Sequence, residues 1–534
     1  MLVSVKYVVL LMSHSKNSRL LLLPVVFLSV LTCVACSSAA SKPAVDDKAT
    51  PAAPSATATV QTPPPADGTV VTAARGDNSL GLARKYLTKS RLMTVSELDA
   101  EIRKANNLGT SKSSFKAGQP VTIPSLEKQP VVEKPVSYAK ESEIRAIYLT
   151  GGTAGSEKGL QMIRHWREVG GNAVVFDIKD SDGSLSIPFD HPLAPKSLHH
   201  PITNLPKFTR YLHSQQMHAI ARIALFRDDH IATTFSKLAV QSRSTGQPWR
   251  ENGKLVWSDS SNTEVQDYNI ALAKYVANSG ADEIQFDYVR FPAEGDQKDA
   301  RFAFESTHPG WQRSQVIADF LRRAHEELNN SGVLLSLDVF GIMAWQRNVD
   351  LAHTGQDIVQ MAKYCDVISP MIYPSHFFGM DGYTAPGDAP EHFIGESMER
   401  FQKITADSNV VIRPWLQAFA WRTKTYSPEY ILKQVGASKE KGGVGFLLWN
   451  ARNDYAKPYV SMVTMEAQPA KYLYAAGTEK AAIDKTKADY LQLAKSKAAP
   501  VVKTTAGMPA KTHPRRVRAV APVRGAMLKP AALR

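Results

Sequence analysis

Two aspartates sit where a chain can do chemistry. Asp287 ends the run Glu283-Ile284-Gln285-Phe286-Asp287, in which Ile284 and Phe286 alternate with Gln285 and Asp287. A period of two is that of a strand, so the apolar pair faces one way and the polar pair the other. Asp338 ends a second run of this kind, Val333 to Val339, in which Leu335, Leu337 and Val339 alternate with Leu334, Ser336 and Asp338. Carboxylates on neighbouring strand ends can flank one scissile bond. Glycoside hydrolysis asks for that: one carboxylate attacks or activates water and the other protonates the leaving oxygen, roughly 5–5.5 Å apart for retention and 6.5–9.5 Å for inversion. The donor needs a raised pKa, from burial or a nearby negative charge. Its partner needs a cation, and Arg222 and Arg290 are the expected partners of Asp287. Asp177, Lys179, Asp180 and Asp182 form a further polar cluster, and any of those acids is an alternative proton donor.

A sugar site also needs aromatic faces and amides. Tyr373 and His376 follow one apolar run, Trp415 and Gln417 end the next, and Trp449 and Asn450 end the last. A lone aromatic is more often core than a ligand platform, so the recurrence at strand ends is what weighs. Trp249, Trp257, Trp311 and Trp345 lie in loops that could extend a cleft. No His-Glu-x-x-His, Cys/His cluster or Walker-type loop is present, so no metal or cofactor is expected. A nucleophile–His constellation for peptidase chemistry is not visible either.

Eight short apolar runs must position these residues: Ile144–Leu149, Ala173–Ile178, Ala219–Phe226, Glu283–Asp287, Val333–Val339, Val367–Ile372, Val410–Gln417 and Val444–Trp449. Most are followed by helical periodicity. Eight β/α alternations over 143–465 predict an α/β fold, a (β/α)8 TIM barrel, whose chemistry sits at the C-terminal ends of its strands. The longest insertions follow strands three and four, on that face. Several strands place Asp, Lys, Arg, Gln or Trp on the side away from the helices. Each buried charge costs several kcal/mol unless paired, so these are either a site or structural ion-pair layers.

The motifs Phe176-Asp177-Ile178-Lys179-Asp180 with Gly183, Arg222-Ile223 with Phe226-Arg227-Asp228, Phe286 to Pro292, Asp338-Val339-Phe340-Gly341, Met371 to His376 and Leu447-Leu448-Trp449-Asn450 together resemble the bacterial "putative glycosyl hydrolase domain" family. The resemblance covers most of 143–465. It implies a barrel related to the α-amylase-like glycosidases, in which the nucleophile ends strand four and the proton donor ends strand five. That agrees with Asp287 and Asp338 as the catalytic pair. One departure is that the α-amylase donor is usually Glu, and an Asp reaches less far.

The flanks speak of location. Residues 68–125 read as strand, helix, helix, strand and resemble a LysM domain, ending in Ala117-Gly118-Gln119-Pro120-Val121-Thr122-Ile123-Pro124. The resemblance implies binding to N-acetylglucosamine polymers such as peptidoglycan, with Gly76, Asp77, Asn78 and Asn107 flanking the groove. A small α+β spacer is the plainer alternative. Lys16 and Arg19 precede the apolar Leu20–Leu31, a pattern of signal-peptide length. Leu31 to Ser38 then resembles a lipobox, which implies lipidation at Cys36 (Cys33 is the other candidate, and simple cleavage the alternative) and retention in an outer membrane facing the periplasm. Residues 1–36 are thus the expected signal, 37–67 a disordered tether, 126–142 a linker and 466–534 a basic, disordered low-complexity tail. Residues 470–534 hold 14 Lys and Arg against 3 Asp and Glu, so most of the net charge of +14 lies there and the remainder is nearly neutral. That distribution points to an anionic surface or to a solvated tail, not to nucleic-acid binding. Two readings remain open: an envelope-anchored hydrolase of a polysaccharide, and a non-catalytic glycan-binding or envelope-structural lipoprotein with an inactive barrel.

Overall fold

The computed structural model describes residues 68–109 and 114–498. The expected signal segment with Cys36, the tether and the basic stretch 499–534 lie outside the described residues.

Eight parallel strands close into a barrel: β1 Ile144–Leu149, β2 Ala173–Lys179, β3 His218–Ala224, β4 Glu283–Asp287, β5 Leu334–Phe340, β6 Val367–Ile372, β7 in two pieces, Val411–Ile412 and Trp415–Gln417, and β8 Gly445–Trp449. Closure comes from β8 on β1, with Gly445 opposite Ile144. The break in β7 falls at Arg413-Pro414. Proline has no N–H to donate to the ladder, yet both pieces stay paired to β6, at Val367 with Val411 and at Met371 with Trp415. A register shift between Asp177 and Lys179 interrupts the pairing of β2 with β3.

The principal helices are α1 Glu157–Glu168, α2 Leu205–Ser214, α3 Thr263–Ala277, α4 Arg313–Leu328, α5 Ile358–Met361, α6 Pro390–Thr405, α7 Pro428–Glu440 and α8 Ala456–Ala467. Side chains of Ser156, Asn204, Asn262 and Ser427 cap α1, α2, α3 and α7. Such caps satisfy amides that no helical carbonyl can reach. The outward strand residues Val174, Phe176, Ile284, Phe286, Leu335 and Leu337 are fully buried against this shell.

Inside the barrel the side chains form layers. The floor is an ion-pair layer: Arg413 Nη1 lies 2.8 Å from Glu283 Oε2, and His218 Nε2 lies 3.0 Å from the same oxygen. Burial alone would raise the Glu283 carboxyl, but Arg413 and His218 outweigh it and hold it at about 2. Tyr138, from the segment expected as a linker, packs edge-on beneath His218 at 4.3 Å. Ala146, Val175, Ile220 and Leu447 build an apolar plug above the floor. Part of the polar lumen is therefore structural, and only the top layer is left for chemistry.

Residues 68–125 fold around their own small core of Leu82, Ala83, Leu98, Ile102, Val121 and Ile123. Thr69–Thr72 pairs antiparallel with Pro120–Ile123, and helices Ser79–Tyr86 and Val95–Ala105 lie between them in sequence. Lys207 of α2 donates to the carbonyl of Leu87 at 2.8 Å, tying this unit to the barrel.

The folded body runs past residue 465, contrary to the expected start of the tail. Pro469–Tyr472 and Glu479–Ala498 are helical. Tyr472 and Leu473 are buried, and Ile483 joins Val367, Val411 and Val444 beneath the strand starts. Lys487 Nζ donates to the carbonyl of Ser408 at 2.8 Å. The basic composition hid these spaced apolar anchors. No helix of the described residues is long and apolar enough to cross a membrane.

Candidate active site

The tops of β2, β3 and β4 are joined by one guanidinium. Arg222 Nη1 lies 2.5 Å from Asp177 Oδ1, and Nη2 lies 2.6 Å from Asp287 Oδ2. Arg222 Nε adds a second bond to that Asp287 oxygen at 3.1 Å. Asp287 Oδ1 accepts from the Tyr288 amide at 2.6 Å. Tyr288 has φ +52°, a left-handed conformation uncommon for a bulky residue. It turns the chain sharply, so the alternation that aimed Asp287 inward does not continue to Arg290.

Asp338 tops β5, the neighbour of β4, and is 1 % exposed. Trp415 Nε1 donates to its Oδ1 at 2.7 Å. Burial first, and then the negative charge of Asp287, hold the Asp338 carboxyl well above the usual carboxylate range. Its backbone carbonyl accepts from Gln356 Nε2 at 3.4 Å, while Gln356 Oε1 accepts from the Phe340 amide at 3.1 Å. The loop before α5 thereby fixes the end of β5.

Asp177 is a second protonatable acid. Burial pushes it up to about 7 against the pull of Arg222. Both its oxygens are engaged, Oδ2 by the Tyr148 hydroxyl at 2.5 Å. Tyr148 is a site residue not expected from the sequence. Its position two residues beyond Ala146 on β1 was the available signal, because it continues the lumen-facing alternation. Tyr148 stacks on Trp449 with centroids 4.1 Å apart, and Trp415 meets Trp449 edge-on at 5.6 Å. Arg222 lies over both Tyr148 and Trp449. Asp180, half-exposed, reaches within 3.8 Å of Arg222 Nη1. Burial first, and then the charges of Asp338 and Asp287, raise the Tyr373 hydroxyl, and the ring packs on the cluster that holds Tyr148 and Trp415.

Asp177, Asp180, Arg222, Asp287, Asp338, Tyr373, Trp415 and Trp449 thus come together. Other expected site residues do not. Lys179 leaves the lumen at the register shift and is buried outside it, bonded to Asp228 Oδ2 at 2.9 Å and to Asn269 Oδ1 of α3 at 2.8 Å. Gln417 spends its amide on the Ser375 amide, the Phe419 carbonyl and the Thr423 hydroxyl. Asn450 does the same for the Ala418 and Asp454 carbonyls. Both amides shape loops and are not aimed at a ligand. His376 packs against Trp421 at 4.9 Å, and burial, aided by Arg422, lowers it to about 4, so its imidazole is neutral at pH 7. Arg290 makes no ion pair with Asp287; its guanidinium lies over Trp257, Tyr288 and Phe340.

In the small module, Asp77 Oδ2 accepts from the Ala74 amide and Asn78 caps the first helix. Gly76 and Asn107 hold positive φ at two turns. These are the expected groove residues, and what the described contacts show is turn and cap chemistry.

A barrel with arginine-linked carboxylates at the C-terminal ends of its strands has the architecture of a glycosidase. The model of the family described as "Putative glycosyl hydrolase domain" matches residues 146–455, more than half of the chain, and the chain belongs to that family. Among solved structures, a hypothetical protein from Ruminiclostridium thermocellum is 36% identical over 36% of this chain and 97% of that one, with a TM-score of 0.32. The PgaB (BpsB) glycoside hydrolase domain from Bordetella bronchiseptica is 13% identical over 63% of this chain and 100% of that one, with a TM-score of 0.45. The spore cortex-lytic enzyme SleL of Bacillus megaterium is 13% identical, covering 76% and 86%, with a TM-score of 0.38. No curated protein matches the chain.

Proposed function

We propose that this chain is an envelope-anchored glycoside hydrolase that cleaves a polysaccharide with the pair Asp287 and Asp338. The observation that carries the reading is the unequal treatment of two acids on neighbouring strands. Asp287 is paired with Arg222, whereas the Asp338 carboxyl, bonded to Trp415, is raised by burial and then by the charge of Asp287. An acid raised by its surroundings beside one held by a cation suits the roles of proton donor and carboxylate.

Asp338 gives its proton to the glycosidic oxygen as the bond from the anomeric carbon breaks. Asp287 either bonds to that carbon or takes a proton from the water that attacks it. Where Asp287 has bonded to the carbon, water displaces it and gives a proton to Asp338; where Asp287 has taken the water's proton, it returns that proton to solvent as solvent reprotonates Asp338. Arg222 bonds to Asp287 as its counter-charge, and the partly exposed Trp449, backed by Tyr148 and Trp415, offers an apolar surface to a pyranose ring. Asp177 is the weaker donor candidate, since Tyr148 and Arg222 occupy both its oxygens.

The location belongs to the same proposal. The lipobox-like stretch ending at Cys36 anchors the protein in the outer membrane, and the LysM-like unit 68–125 holds it on peptidoglycan. The order of strand, helix, helix, strand in that unit supports this reading.

The test is to incubate the full chain with peptidoglycan and with α- and β-glucans and to measure new reducing ends. Release that disappears in Asp287→Asn, with the fold intact by circular dichroism, is the expected result. No release from any glycan, or equal release by the variant, overturns the proposal.

A further inference from the structure

Arg290 presents an unusual balance of contacts. It is 5 % exposed, and its Nη1 donates to the Phe291 carbonyl at 3.1 Å. Its guanidinium stands 4.3 Å from the Phe340 centroid, 4.8 Å from that of Trp257 and 5.1 Å from that of Tyr288. Cation–π contact offsets less than a buried charge costs. A carboxylate would close that gap, but among the described residues none forms an ion pair with Arg290. Glu251 and Asp287 act on it only at longer range. Its remaining donors have no protein acceptor among the described residues, yet none is sealed from solvent.

A second cation stands across the same ring. Arg227 lies 5.7 Å from the Tyr288 centroid, half-buried, with its Nη1 on the Ser181 hydroxyl at 3.0 Å. It too makes no ion pair among the described residues. Two arginines thus flank the residue immediately after Asp287, Arg227 from the loop after β3 and Arg290 from the loop after β4. Arg222, by contrast, is matched by Asp177 and Asp287.

We infer that Arg227 and Arg290 form an anionic subsite beside the cleaved bond, and that the glycan carries a carboxylate on the sugar bound there. This rests on the hydrolase reading of the site. A planar carboxylate suits the fork of a guanidinium.

The test reads binding without turnover, so a failure of hydrolysis leaves it standing. Full-length Asp287→Asn is titrated with D-glucuronate and N-acetylmuramate, and with D-glucose and N-acetylglucosamine, following heat or tryptophan fluorescence. Each acid is expected to bind at least about ten-fold tighter than its neutral counterpart, with the preference shrinking as salt is raised. Arg290→Gln and Arg227→Gln should each remove most of that preference and leave the neutral sugars unchanged. If Arg290→Gln does not fold, Arg227→Gln at the half-buried position carries the test. Equal affinities, undetectable binding of both acids, or a preference that survives the substitutions overturns the inference. Displacement of glucuronate by inorganic phosphate at equal concentration also overturns it, because the site would then take any small anion.

Discussion

Trp415 Nε1 donates to Asp338 Oδ1 at 2.7 Å, across the barrel lumen from β7 to β5. That bond favours the ionised form, so it opposes the burial that raises the Asp338 carboxyl. A hydrogen bond to a charged group contributes about 1.5–3 kcal/mol, and one pKa unit is about 1.4 kcal/mol. Trp415→Phe should therefore raise the Asp338 pKa further. A proton donor works only while protonated, so activity falls as pH rises through its pKa. The descending limb of kcat/KM against pH should move to higher pH in Trp415→Phe. A limb that stays in place would separate Asp338 from the proton-transfer step.

Arg222 forms ion pairs with both Asp177 and Asp287, and among the described residues no other cation does so with either acid. Removing one partner of a buried pair costs about 3–5 kcal/mol, because the remaining charge is left without compensation. Arg222→Met should lower stability by about that amount in urea unfolding and abolish turnover. Arg222→Lys should recover part of the stability and little activity, since one ammonium does not reproduce bonds to two strands at once. Full activity in Arg222→Lys would contradict the bridging role.

Asp177 should leave a pH signature in stability. Burial raises its carboxyl to about 7, while an unfolded aspartate titrates near ~3.9. Between those values the folded carboxyl keeps a proton that the unfolded one has lost. This contribution is fully present below about pH 4 and is lost as pH rises through about 7. Wild type should therefore lose melting temperature relative to Asp177→Asn between pH 5 and pH 8. Parallel curves for the two proteins would show that Asp177 is not perturbed.

Lys179 and Asp228 lie 2.9 Å apart at 0% and 1% side-chain exposure, outside the lumen. Lys179→Met should cost about 3–5 kcal/mol by stranding Asp228, and Lys179→Met with Asp228→Asn should cost less than the two single losses added. The Michaelis constant of the folded Lys179→Met enzyme should not move. A weakened substrate affinity would return Lys179 to the site.

The barrel was legible in the sequence because its strands are short apolar runs with period two, and the structure places all eight close to their expected positions. Asp287, Asp338, Arg222, Trp415 and Trp449 were legible for the same reason: each ends or continues such a run. Lys179 was misplaced because one register shift after Asp177 rotates the rest of the strand, and no residue type announces that shift. Arg290 was paired with Asp287 on spacing alone, and the left-handed turn at Tyr288 undoes that spacing. The floor layer of Glu283, Arg413 and His218 was hidden because each member lies in a different strand, and only closure of the barrel brings them together. The helix beginning at Glu479 was obscured by lysines that outnumber Ile483 and the other apolar anchors.

Chemical rescue of Asp287→Ala tests the central claim most directly. Removing the carboxylate should abolish release from the glycan that the wild type cuts. Azide, admitted to the vacated space, should restore bond cleavage and give a glycosyl azide detectable by mass spectrometry. That result would identify Asp287 as the group acting at the anomeric carbon. Undiminished hydrolysis by Asp287→Ala without azide would contradict the assignment of the acid pair.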